Sequence, residues 1–178
     1  AREDAMLISL MSSENRATHA LARHDPGGLS AFVTAMNRKA AELGMFNTRF
    51  EDPTGLSSNN VSTAKDLARM VAAAHRYPLI REFSTTSDAK VVVSGRLMEY
   101  RNTNQLVKVP TWDIGLSKTG FIQEAGKCLV MQARVAEKPV VIVLLDSQGK
   151  LTRIGDANRI KRWMETTQAS AARKSGSA

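Results

Sequence analysis

Two short groups of polar residues have the types and spacing that acyl-transfer chemistry uses. The first is Lys118-Thr119-Gly120, which stands at the end of a strand-like segment. At such a position the lysine would supply positive charge and the threonine would offer its hydroxyl to a substrate carboxylate. The glycine would leave room for a substrate backbone to approach the strand edge. A tripeptide of this kind arises often by chance, so it indicates a site only in combination with other groups.

The second group is Ser13-Glu14-Asn15, far upstream of the first. Ser13 could relay a proton between a reacting group and a lysine. Asn15 could hold a substrate carbonyl with its side-chain amide. Taken alone, Ser13 has an ordinary alternative role as the cap of a helix. The hypothesis of acyl-transfer chemistry therefore depends on the presence of both groups, not on Ser13 alone.

An S-x-N group followed by K-T-G is the order found in penicillin-binding proteins and serine β-lactamases. Longer stretches of the chain resemble the low-molecular-mass D-alanyl-D-alanine peptidases over about residues 3–165. They are especially similar to the penicillin-binding protein 7/8 type, the D,D-endopeptidases of Gram-negative bacteria. The stretches that carry this resemblance are LMSSENRATHALA, GGLSAFVTAMNRKAAELGMFNTRFEDPTGLSSNNVSTAKDLARM and GLSKTGFIQEAGKCLVMQA.

The resemblance implies a serine D,D-peptidase, an endopeptidase or carboxypeptidase that acts on peptidoglycan peptide cross-links through an acyl-enzyme. β-Lactams such as penicillin would acylate the same enzyme. Carried over position by position, the motifs give the catalytic residues as Ser13, Asn15 and Lys118. The substrate-binding residues would be Thr119 and Gly120.

Arg153 is a further substrate-binding candidate. It stands where related carboxypeptidases have an arginine that helps to bind the terminal carboxylate of the substrate. The surrounding sequence matches only loosely, so Arg153 has an equally good alternative role as a solvated cation at the start of a helix.

The nucleophile of the family belongs to an S-x-x-K motif that precedes S-x-N. Only twelve residues precede Ser13, and none of them forms that motif. The resemblance therefore implies that this chain is a fragment, inactive alone, and that a companion N-terminal fragment carries the attacking serine and its activating lysine. Ser62-Thr63-Ala64-Lys65 matches S-x-x-K by spelling, but Ser62 reads as the N-cap of a helix.

Two alternatives stay open beside the peptidase. One is a nucleophile-free module that binds peptidoglycan peptides, and the other is a serine β-lactamase. A β-lactamase of one class would carry a deacylating glutamate roughly where Glu51 stands. Because Glu51 is followed by Asp52-Pro53-Thr54-Gly55, the sequence favours a structural turn there, and a penicilloyl-enzyme is expected to be long-lived.

Composition limits the other functional classes. The chain has 178 residues, 43% hydrophobic and 24% charged, which suits one globular domain or a large part of one. Its net charge of +8 is dispersed and aromatic residues make up only 5%, so no nucleic-acid partner is expected. The three histidines and the single Cys128 are scattered, and neither a metal nor another cofactor is expected.

The resemblance also implies a periplasmic protein, with at most a loose association with the membrane. The chain itself shows no export signal. It begins at Ala1 directly in a helical pattern, so its N-terminus looks cut. The longest apolar run, residues 139–145, is too short to span a bilayer and predicts a buried strand.

The elements that must position these residues follow a simple order. Apolar periodicity predicts helices first, then antiparallel strands, then a closing helix. Ser94-Gly95 between two alternating runs predicts a hairpin turn. The predicted helices are residues 3–12, 16–24, 29–43, 62–75, a short one from Pro78, and 153–165. The predicted strands are residues 89–93, 96–100, 114–121, 128–136 and 139–145.

This order predicts an α+β fold. The resemblance makes it the penicillin-binding protein and serine β-lactamase-like transpeptidase fold, an antiparallel sheet with a helical region, with the N-terminal part of the fold missing from this chain. Residues 1–165 would be the C-terminal portion of the catalytic domain. Residues 166–178 are small and polar and are expected to form a flexible tail.

Overall fold

Helices come first along the chain, and strands with a final helix follow them. The computed structural model describes residues 1–149 and 151–175. The helices are α1 (Arg2–Ser12), α2 (Asn15–Arg23), α3 (Gly28–Glu42), α4 (Ala64–Ala74), α5 (Pro78–Thr85) and α6 (Thr152–Ser175). The strands are β1 (Asp88–Val93), β2 (Arg96–Arg101), β3 (Asp113–Ile122), β4 (Gly126–Val135) and β5 (Lys138–Ser147), with a 3₁₀ turn at Gln105–Lys108.

The strands form two separate sheets rather than one. β1 and β2 pair as an antiparallel hairpin, and β3, β4 and β5 form a three-stranded antiparallel sheet in that order. The predicted hairpin turn is confirmed, since Ser94 (φ 50°) and Gly95 (φ 77°) both adopt the positive φ that a two-residue turn of this kind requires.

The main core lies on one face of the three-stranded sheet. Successive side chains of a strand point to opposite faces. On β4 this alternation places Leu129, Met131, Ala133 and Val135 on a single face, and each is at most 1% exposed. Ala157 of α6 belongs to the same buried cluster, so α6 covers this face of the sheet.

The end of α4 packs closely against β3 at Gly115. A side chain at this glycine would clash with Gln132 of β4 and with His75, the residue that ends α4. The pairing of β3 with β4 is irregular at the same point, between Ile114 and Leu116. A side chain at position 115 would therefore have to displace the ends of these two side chains, just before the lysine group.

The start of α4 differs by one residue from the prediction. Thr63, not Ser62, is its N-cap, because the Thr63 hydroxyl accepts a hydrogen bond from the Asp66 backbone N–H at 3.2 Å. The Ser62 hydroxyl lies 2.7 Å from the Thr48 hydroxyl. The prediction of Ser62 as the cap was wrong, since the neighbouring threonine can make the same contact.

The closing helix is longer than predicted. It was expected to end near Glu165 but runs to Ser175. The α+β class is confirmed, whereas the division of the chain at residue 166 and the flexibility of the polar tail stay predictions. Residues 176–178 of that tail lie outside the described residues. In the part of the chain that the structure describes, no helix is both long and apolar enough to cross a bilayer.

Candidate active site

Ser13 and Lys118 lie in contact, although 105 positions separate them in the sequence. The Lys118 ammonium donates a hydrogen bond to the Ser13 hydroxyl and another, at 3.0 Å, to the carbonyl of Thr119. The serine comes from the end of α1 and the lysine from the middle of β3. The fold thus joins the two groups on which the chemical hypothesis depends.

The backbone of Ser13 is left-handed, with φ 54° and ψ 39°. The chain leaves α1 through this residue, and the next N–H, that of Glu14, donates to the Ile8 carbonyl at 3.2 Å. For a residue with a side chain this conformation costs roughly 1–2 kcal/mol. Such strain is typical of functional sites, where the surrounding structure holds a side chain in one place.

Glycine at position 13 is therefore expected to fold better than alanine at the same position. Both Ser13→Gly and Ser13→Ala remove the hydroxyl, so the lost contact with Lys118 cancels in the comparison. Glycine adopts the left-handed conformation without the steric penalty, and the glycine variant should be more stable by about 1 kcal/mol. Urea denaturation at neutral pH measures this difference, and an alanine variant of equal or higher stability would contradict it.

Lys118 occupies an environment that disfavours its charge. Although part of its side chain stays exposed, burial lowers the pKa of Lys118 from 10.5 to about 8, and the positive charge of Arg153 adds to this effect. At neutral pH the group is mostly protonated but loses its proton readily. A lysine with such a pKa, bonded to a hydroxyl, can take part in proton transfer.

Asn15 is the first residue of α2 and lines a large open cleft of about 730 Å³. The opposite wall of the cleft is the loop of residues 51–57. Glu51 lies in that loop, exposed, and its carboxylate accepts a hydrogen bond from the Ser57 hydroxyl at 2.5 Å. The carboxylate of Asp52 accepts the backbone N–H of Ser57 at 2.8 Å. Both acidic side chains therefore hold the turn together.

Thr119 and Gly120 follow Lys118 on β3. Thr119 is only 9% exposed, and its hydroxyl donates to the hydroxyl of Thr103 at 2.6 Å. Gly120 is exposed. A side chain there would reach only an ordinary contact of 3.7 Å with Cys128, so packing within the chain does not require the glycine.

Arg153 lies in the first turn of α6 and bonds to the sheet. Its guanidinium donates to the Gly120 carbonyl at 3.2 Å and to the Cys128 carbonyl at 3.0 Å. The side chain therefore ties α6 to β3 and β4 beside the lysine group. Arginine carries five N–H donors, so these two bonds leave others for a ligand.

The sequence reasoning missed the segment of residues 102–104, which connects the parts of the site. The Thr103 N–H donates to the Met11 carbonyl at 3.1 Å, next to the end of α1. The Asn104 side chain is fully buried and donates to the Ser117 hydroxyl at 2.8 Å. The Asn102 side chain donates to two carbonyls near the end of α5, those of Ser84 at 3.0 Å and Thr86 at 2.8 Å.

The only sequence signal for this segment is its composition. Two asparagines flank a threonine directly after a strand, and such residues bond to neighbouring backbone groups in turns. That pattern predicts a turn but not its distant partners. The contacts to α1 and β3 are visible only in the fold.

The S-x-x-K spelling at Ser62 does not form a nucleophile pair. Among the described hydrogen bonds none joins Ser62 to Lys65, and Ser62 instead bonds Thr48. Two further matches, at residues 87–90 and 147–150, were overlooked in the sequence. The Ser87 hydroxyl donates to Asp88 at 2.7 Å, and residue 150 lies outside the described residues.

Among the residues that the structure describes, no group of three or more histidine, cysteine, aspartate or glutamate side chains could hold a metal ion. The arrangement at Ser13 and Lys118 is thus built from a hydroxyl and an ammonium.

Comparison with known proteins supports the resemblance seen in the motifs. The family model described as D-alanyl-D-alanine carboxypeptidase, peptidase S11, matches residues 1–149. The chain is 51% identical over 173 residues to a D-alanyl-D-alanine endopeptidase of Pseudomonas aeruginosa, covering 96% of this chain and 56% of that protein. It is also 51% identical over 168 residues to one of Escherichia coli, covering 93% and 54%. The chain thus spans about half the length of the curated relatives it matches.

Solved structures confirm the fold. The Streptomyces K15 DD-transpeptidase superposes with a TM-score of 0.83 at 28% identity, over 90% of this chain and 66% of that one. A D-alanyl-D-alanine carboxypeptidase from Mycobacterium tuberculosis superposes with a TM-score of 0.75 at 27% identity, over 84% and 57%. The predicted α+β transpeptidase-like architecture is therefore correct.

Proposed function

The chain belongs to the D-alanyl-D-alanine carboxypeptidase family, and we propose that it forms part of a serine D,D-peptidase that cleaves peptide cross-links of peptidoglycan. The observation that carries this proposal is the contact between the Lys118 ammonium and the Ser13 hydroxyl. It joins one residue of the S-x-N group to one residue of the K-T-G group, which supports a site shared by both. Both the endopeptidase and the carboxypeptidase reactions break an amide bond to D-alanine, and they share the same chemistry.

In the proposed reaction a serine hydroxyl attacks the substrate carbonyl and an acyl-enzyme forms while the amine leaves. The proton released by the attacking serine has to reach that amine. Ser13 relays it, and Lys118 supports the relay because it is positively charged and has a lowered pKa. Water then attacks the acyl-enzyme and releases the shortened peptide. β-Lactams acylate the same serine.

The remaining site residues bind the substrate. Asn15 holds the carbonyl of the peptide with its side-chain amide. This role rests on the resemblance alone, because the cleft that Asn15 lines is not lined by Ser13 or by the lysine group. Thr119 donates its hydroxyl to the terminal carboxylate, and Gly120 lets the substrate backbone pair with the edge of β3. Arg153 adds positive charge near that carboxylate with the N–H groups that do not bond to the sheet.

The attacking serine is proposed to lie in a companion N-terminal segment that carries S-x-x-K. This rests on the resemblance together with the positions of Ser62 and Ser87, which bond elsewhere. The complete enzyme would act in the periplasm, where its polymeric substrate is. The turn role of Glu51 gives no support to rapid deacylation, and the β-lactamase alternative is not favoured.

Fluorescent penicillin is the test of this function. The purified protein should become labelled and keep the label for long enough to be resolved on a denaturing gel, with the label on a segment other than this 19.4 kDa chain. Label on this chain would point to one of its own serines and contradict the companion segment. Rapid loss of the label would indicate a β-lactamase, and absence of any label would leave a peptidoglycan-binding module.

A further inference from the structure

We propose that Thr103 is a positioning residue for the site, and that its hydroxyl holds the hydroxyl of Thr119 where a substrate carboxylate meets it. This inference rests on the proposed function, since it concerns the binding of that carboxylate. The residue lies outside the S-x-N and K-T-G groups. From the 102–104 segment it bonds Thr119 of the K-T-G group and Met11, which lies two residues before Ser13.

The backbone of Thr103 is fixed to the end of the helix that carries Ser13. Its N–H donates to the Met11 carbonyl at 3.1 Å. On the other side its hydroxyl accepts a hydrogen bond from the Thr119 hydroxyl at 2.6 Å. Thr103 therefore links α1 to β3 and sets the spacing between them. The contact between Ser13 and Lys118 joins the same two elements.

The neighbours of Thr103 prevent it from shifting. Asn104 is 0% exposed and bonds the Ser117 hydroxyl at 2.8 Å, while its own N–H donates to the Asn102 side chain at 2.9 Å. The Asn102 side chain is in turn held by backbone carbonyls near α5. Buried polar groups satisfied in this way make a network rigid.

The two hydroxyls can exchange donor and acceptor roles. A threonine hydroxyl has one proton to donate and two lone pairs to accept. Without a ligand, Thr119 donates to Thr103, and the Thr103 hydroxyl lies 3.5 Å from the Met11 carbonyl. When a carboxylate arrives, Thr119 turns its proton to it and accepts from Thr103 in return. Thr103 thus keeps the Thr119 hydroxyl in place. By donating to its oxygen, Thr103 also makes that hydroxyl a stronger hydrogen-bond donor to the carboxylate.

A valine at position 103 removes this hydroxyl at little risk to the fold. Thr103 is exposed and valine has nearly the same shape. The backbone bond to Met11 is kept, because it uses the main-chain N–H. Thr103→Ser restores the hydroxyl and serves as the conservative rescue. Thr34→Val is the matched control, since the Thr34 hydroxyl is exposed and, among the described residues, bonds the Ser30 carbonyl within α3.

The test compares acylation of these variants, each made in the complete enzyme with its S-x-x-K segment, by a penicillin and by the methyl ester of the same penicillin, which lacks the anionic carboxylate. Thr103→Val should lower the second-order rate constant for the free acid about 5–10-fold, the loss expected for one hydrogen bond between neutral groups. It should change the rate for the ester less than about twofold. Thr103→Ser and Thr34→Val should behave like the unaltered protein. In a Thr119→Val background, Thr103→Val should have no further effect.

Several results would overturn the inference. Equal losses of rate with the acid and with the ester would indicate a merely structural role for Thr103. No loss of rate with Thr103→Val, or a loss that Thr103→Ser does not restore, would also contradict the inference. A urea double-mutant cycle of Thr103→Val and Thr119→Val gives a readout that does not need activity, and the two changes should be non-additive. If the complete unaltered enzyme reacts with neither reagent, the proposed function fails. Additive changes in the urea cycle would instead overturn the coupling of the two threonines.

Discussion

Replacing Lys118 with methionine is expected to slow acylation of the complete enzyme by penicillin about 10²–10⁴-fold, the usual contribution of one group in proton transfer. Methionine keeps much of the length of the side chain but has no proton to donate and no charge. It therefore leaves the Ser13 hydroxyl without its partner. The rate constant for labelling with fluorescent penicillin measures the effect, and stopped-flow or gel time courses cover the range.

Lys65→Met is the matched control for this prediction. Lys65 is an exposed lysine near the start of α4, and it belongs to the S-x-x-K spelling at Ser62. Its replacement should leave the acylation rate unchanged. If Lys65→Met abolished labelling and Lys118→Met did not, the site would have to be moved to Ser62, and the proposed role of Lys118 would be wrong.

The stability of the protein should rise with pH between about 8 and 10.5 because of Lys118. Its pKa is about 8 in the folded protein, against the ordinary value of 10.5. Between these values the unfolded chain binds more protons than the folded one, so the free energy of unfolding increases as the pH rises. At 1.36 kcal/mol per pH unit the full contribution is about 3 kcal/mol.

Lys118→Met should remove this rise. Because methionine has no charge to bury, the variant is also expected to be more stable than the unaltered protein at pH 7. Urea midpoints at several values between pH 7 and 10.5, with Lys65→Met as the control, isolate the contribution from that of the exposed lysines. A variant that keeps the full pH-dependent rise would show that another group causes it.

Elements with a regular apolar pattern were predictable, and irregular contacts were not. The hairpin around Ser94 and the three long strands follow from alternation and turn residues, because local geometry sets both. The division into two sheets could not be predicted from the sequence, since the apolar pattern of a strand does not show which other strand pairs with it. The cap of α4 was misplaced by one residue because Ser62 and Thr63 are equally suited to it.

The same limit applies to the site. Ser13 and Lys118 were identified through motifs, and their contact across 105 positions depends on the fold. The 102–104 segment carries no motif and no periodic pattern. Its role comes from side-chain hydrogen bonds to Ser117 and Thr119, whose partners are set by the packing of β3 beside α1. Residue types indicate which groups could take part in the reaction, whereas the residues that hold those groups in position are identified only in the three-dimensional structure.

The enclosed charge of Lys118 has a consequence for laboratory evolution of this protein. A library selected only for heat resistance would favour apolar replacements of that lysine, because they relieve the cost of burying an ammonium. The survivors would fold better and lose the reaction. A selection that alternates heating with penicillin labelling would keep the lysine and direct the stabilising substitutions to the rest of the chain.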